Sequence, residues 1–96
     1  MSVFAVEYVY AADTEEGRDT HRAAHREWLK GFVNEGRLLA SGPYADGTGA
    51  LLLFTAGSEA ALLEELKQDP FNVQNFVSGL RVTEWKPVTG AFADYA

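Results

Sequence analysis

Apolar residues in this chain recur first with the two-residue repeat of a strand, then with the 3.6-residue repeat of a helix, and alternate between the two in an order that few architectures accommodate. Val3 to Tyr10 is dense in β-branched and aromatic residues and stops at Ala11-Ala12-Asp13, where small and acidic residues open a loop. From about Thr14 to Glu35 the repeat turns helical, with Ala24, Trp28, Leu29, Phe32 and Val33 three and four residues apart and Gly36 as a C-terminal stop. Leu38 to Tyr44 and Ala50 to Ala56 are apolar runs joined by Ala45-Asp46-Gly47-Thr48-Gly49, a segment with the turn residues of a hairpin. Ser58 suits the cap of a second helix, Glu59 to Lys67, with Leu62, Leu63 and Leu66 on its apolar side. Asp69-Pro70 breaks that helix. Pro70 fits the first position of a third short helix reaching about Phe76, and Ser78-Gly79 leads into a last strand, Leu80 to Pro87. The order β-α-β-β-α-β is the split βαβ pattern of an α+β fold, with one antiparallel sheet carrying the helices on a single face.

The other face of that sheet also has to be accounted for. Leu51-Leu52-Leu53-Phe54 is apolar throughout, and Phe4, Val6, Tyr8 and Tyr10 alternate with Val3, Ala5 and Val9, so neither face reads as wet. Helices cover one face; a copy of the chain related by two-fold symmetry covers the other most economically, and a homodimer is the expectation. The alternative is a monomer whose tail, Val88 to Ala96, folds across the open face, and Phe92 and Tyr95 suit either arrangement.

Composition removes several classes of function. Residues 1–96 read as one domain without repeat, linker or low-complexity stretch, at 47% hydrophobic and 23% charged residues, a globular composition. A formal charge of −6 with no basic cluster argues against nucleic acid as a partner. No apolar run reaches the roughly 18 to 20 residues needed to span a bilayer, and the N-terminus lacks the basic, apolar and small-residue pattern of a signal peptide, so a cytoplasmic location is expected. Zero cysteines leave no thiolate ligand or nucleophile.

Among residues able to carry chemistry, His25 stands out. At about 100° per residue, Phe32, Leu29, His21 and Trp28 all lie within about 60° of it, whereas Arg26, Lys30, Asn34 and Glu27 are expected on the opposite side. The imidazole should therefore face the sheet and needs a partner there, as a structural histidine bonded to a strand carbonyl or as a general acid or base. His21 and His25 also have the i, i+4 spacing that puts two imidazoles on one metal, but no third ligand follows at a recognisable spacing, and no metal is assigned. Asp69 before Pro70 is suited to cap the helix that follows. Ser41-Gly42-Pro43 places a hydroxyl and free backbone amides where a strand is ended or bent.

The segments Arg22-Ala-Ala-His25-Arg-Glu-Trp28-Leu29, Gly36-Arg37-Leu38-Leu39-Ala40-Ser41-Gly42-Pro43 and Gln68-Asp69-Pro70-Phe71 together resemble the YCII (YciI-like) family, in the order and frame that family uses. The resemblance spans nearly the whole chain. It implies a ferredoxin-like, dimeric α+β barrel with a cleft, and a histidine-aspartate dyad that falls on His25 and Asp69. Ser41 lies in the family's small-Gly-Pro segment; no role passes to His21. Also implied is cofactor-free acid-base chemistry of the lyase, isomerase or dehydrochlorinase kind on a small hydroxylated aromatic molecule. In that scheme Asp69 orients His25, His25 transfers the proton, and the amides near Ser41-Gly42 with Tyr8 hold the resulting oxyanion. Two rival readings are a small-ligand-binding or interaction module without chemistry, and a cofactor-independent monooxygenase of the same barrel type, which oxygen consumption would reveal.

Overall fold

A computed structural model describes residues 1–96. The chain runs β1 (Ser2–Tyr10), α1 (Glu15–Asn34), β2 (Leu38–Pro43), β3 (Gly49–Ala56), α2 (Glu59–Leu66), α3 (Pro70–Val73) and β4 (Val77–Trp85), followed by a 3₁₀ turn at Ala93–Tyr95. The strands form one antiparallel sheet in the order β2-β3-β1-β4, the ferredoxin-like arrangement.

Register explains the core. Phe4 pairs with Phe54, Val6 with Leu52 and Tyr8 with Ala50, so these side chains share one face, where they are buried with Leu62 and Leu66 of α2. Trp28, Leu29 and Phe32 of α1 pack on the same cluster, which places both long helices on one side of the sheet. Burying each large apolar side chain stabilises the fold by about 1.5 to 3 kcal/mol. Arg37 forms a two-point ion pair with Glu65, at 2.5 and 2.7 Å, and donates to the Thr55 carbonyl, tying α2 to the β2–β3 edge.

Local signals set the element ends. Ser58 Oγ accepts the Ala61 N–H at 3.1 Å, as an N-cap should. Helix α1 closes at Gly36, whose φ of 72° lets Arg37 N–H reach Phe32 O and Gly36 N–H reach Val33 O. Gly49 is required for close approach: a Cβ there would lie 1.8 Å from the Tyr8 carbonyl oxygen.

The third helix and last strand differ from expectation. Helix α3 ends at Val73, not near Phe76, and β4 begins at Val77, not Leu80. The reason is Asn75, which takes φ 60° and closes the helix as Gly36 closes α1, with Phe76 N–H bonded to Phe71 O and Asn75 N–H to Asn72 O. An asparagine tolerates this left-handed position, but it is a weaker written signal than glycine.

On the sheet's second face, Val3 and Leu53 are buried, whereas Val9 (54%) and Leu51 (37%) are exposed beside Glu7 and Arg81. No helix is long and apolar enough to cross a membrane.

Candidate active site

Three elements bring one buried carboxylate and one imidazole together. Asp69 is the N-cap of α3, and its Oδ1 accepts the Phe71 N–H at 2.9 Å, with Pro70 at the first helical position. The capping role read from the sequence is therefore present. The same Oδ1 lies 2.7 Å from His25 Nδ1, delivered by the core-facing side of α1. Oδ2 accepts the Tyr8 hydroxyl of β1 at 2.8 Å. Asp69 is fully buried, and these three donors satisfy it.

A further layer fixes Tyr8. Asn72 Nδ2 donates to the Tyr8 oxygen at 3.1 Å and to Leu66 O at 2.7 Å, so the end of α2, the start of α3 and β1 share one network. Burial, and secondarily the adjacent Asp69 charge, push the Tyr8 phenol well above its ordinary value, so it stays a donor. The imidazole of His25 stacks flat on Phe71, with ring centroids 3.9 Å apart and planes within 4°.

This geometry assigns the nitrogens. With Nδ1–H directed at the carboxylate, Nε2 is the acceptor. It has no protein partner, and no buried side-chain nitrogen or oxygen in the chain lacks one, so Nε2 is open to solvent. The His25 ring lines a cleft of about 480 Å³ between α1 and the β2–β3 hairpin, of the size that small-molecule sites occupy. Ser41 and Gly42 line that cleft with His25. A second cavity of about 470 Å³, between α2 and β4, is lined by Asn72 and Leu66 but by none of His25, Ser41 and Gly42.

Two expectations need correction. Tyr8 is 1% exposed and absent from the cleft wall, with its hydroxyl committed to Asp69, so it positions the carboxylate and does not face an oxyanion. Arg26, expected on the far side of α1, lines the cleft with Arg18 and Arg22. It lies only about 100° around the helix from His25, and a long side chain covers that arc. These three arginines were missed as site residues. Their i, i+4, i+8 spacing was the signal, since it places them along one ridge. Arg18 lies over the Tyr10 ring, 4.0 Å from its centroid. Burial raises the Tyr10 phenol above its ordinary value, with Arg18 and Arg22 opposing. His21 packs against Phe76, and no three His, Asp or Glu residues come together to hold a metal.

Tyr8→Phe tests the network. It leaves Asp69 Oδ2 without its donor in a buried site and is expected to lower the unfolding free energy by about 1 to 3 kcal/mol, read from urea denaturation.

The profile of the YCII-related domain matches residues 3–86. The chain belongs to that family. No curated protein matches the chain. Among solved structures, this YCII-related chain is similar to 5-chloro-2-hydroxyhydroquinone dehydrochlorinase (TftG) from Burkholderia phenoliruptrix AC1100, in complex with 2,5-dihydroxybenzoquinone. The TM-score is 0.79 at 22% identity, over 88% of this chain and 93% of the other, a likeness of fold.

Proposed function

We propose that this YCII-related protein is a cofactor-free acid-base enzyme, a lyase or isomerase in which His25 is the proton-transfer group and Asp69 its orienting partner. The observation that carries the reading is the 2.7 Å contact between His25 Nδ1 and Asp69 Oδ1, on a ring that lines a cleft of substrate size and whose Nε2 has no protein partner. Nε2 takes a proton from an O–H or acidic C–H of the substrate. The freed electron pair then expels a leaving anion, or the proton returns at a different atom of the same molecule. Asp69 stabilises the imidazolium between these steps.

The dehydrochlorinase with the same fold suggests the first substrate to try, 5-chloro-2-hydroxyhydroquinone. Chloride release that disappears in His25→Ala would support elimination through this site. Tight retention of the compound with no turnover would instead assign a binding module.

We further propose that the protein works as a homodimer formed through the second face of the sheet, where Leu51 and Val9 are exposed next to buried Leu53 and Val3. Sedimentation should give twice the chain mass, and Leu51→Glu should give the monomer. A wild-type protein that sediments as a monomer at micromolar concentration would refute the dimer.

A further inference from the structure

The charge distribution around the cleft is unlike that of the chain as a whole. The protein carries 14 acidic against 8 basic residues, yet the cleft wall includes Arg18, Arg22 and Arg26 and neither aspartate nor glutamate. All three project from one ridge of α1, where like charges at i, i+4 repel and are unfavourable for the helix itself. Arg18 is engaged by Tyr10 and Thr14, and Arg22 by the exposed carboxylate of Asp19 on the preceding turn. Arg26 forms neither a side-chain hydrogen bond nor an ion pair, although Glu27 and Glu16 lie on the same helix. A set of guanidinium groups held together at the rim of a concavity, with one of them free, has the chemistry of an anion receptor.

We infer that the cleft takes a small organic acid, with Arg22 and Arg26 holding its carboxylate while the adjoining part of the molecule lies against His25. The assignment rests on the acid-base reading for what His25 does, and on the arginine ridge alone for the charge of the ligand. Arg22 is three residues from His25 and Arg26 is the next residue, so a carboxylate held by both leaves the neighbouring atoms of a small molecule beside the imidazole. Leu29 and Leu52 supply apolar wall for its carbon skeleton. A carboxylate fits better than a phosphate dianion, because Arg18 and Arg22 already have partners in Tyr10, Thr14 and Asp19, which leaves Arg26 as the one uncommitted positive charge at the cleft, a match for a monoanion.

Calorimetric titration at low salt tests this with benzoate, 2-hydroxybenzoate and 2,5-dihydroxybenzoate, each against its methyl ester, and with inorganic phosphate. At least one acid should bind about tenfold or more tightly than its ester, the size of effect a charge-assisted pair supplies. That ratio should fall to about one in Arg22→Gln/Arg26→Gln, with the fold checked by circular dichroism, and should survive in His25→Ala. Acids binding no better than their esters, an unchanged ratio in the double variant, or phosphate outcompeting every acid would each overturn the inference. The two readings fail separately. Arginine-dependent acid binding without His25-dependent turnover removes only the acid-base chemistry, and His25-dependent turnover indifferent to the carboxylate removes only the receptor.

Discussion

Asp69→Ala is expected to lower the unfolding free energy by about 3 to 5 kcal/mol, a large part of the stability of a domain this size. The carboxylate is fully buried and serves as acceptor for the Tyr8 hydroxyl, the Phe71 amide and His25 Nδ1. Truncation leaves three donors around a small void, and a buried donor without a partner costs about 1 to 3 kcal/mol. Some of that loss is recovered where water enters. Asp69→Asn keeps the volume and one oxygen, so it should cost less, yet its amide nitrogen would face a donor on one side. Urea midpoints for the two variants should therefore rank wild type above Asn and Asn above Ala. Equal midpoints for Ala and wild type would show that this network has no net weight in folding.

His25→Ala should separate chemistry from stability. Turnover is expected to fall by about 10² to 10⁴, the usual contribution of a positioned acid or base. Stability should fall by only about 1 to 2 kcal/mol, since the change removes a ring stack on Phe71 and one of the two donors to Asp69 Oδ1. Added imidazole should restore part of the lost rate by entering the vacated space. Nitrogen chemical shifts of the wild-type ring give an independent check, because the geometry requires the tautomer protonated at Nδ1. Full turnover by a folded His25→Ala protein would end the acid-base proposal.

Much of the site was legible in the sequence, though unevenly. The buried stripe of α1 fixed the side on which His25 would lie, and Asp69-Pro70 announced a capped helix start; both are found. The contact between them was implied by resemblance and could not be read from spacing. Forty-four residues separate the two, and their meeting depends on where α2 leaves the chain at Leu66 before α3 turns back under α1. Tyr8 was misjudged for a related reason. Strand alternation grouped it with Phe4, Val6 and Tyr10 on one face, but only the arrival of Asp69 and Asn72 at its hydroxyl committed that group to the carboxylate.

The sequence by itself determined the order of elements, the sheet's two faces and most element ends, because these follow from short-range periodicity, capping and turn chemistry acting within a few residues. The tertiary structure alone decided that Asp69 has three donors, that His25 keeps Nε2 open and that Arg26 lies on the cleft wall. Each of these depends on elements distant in the chain meeting in space, and local pattern carries no record of which groups meet.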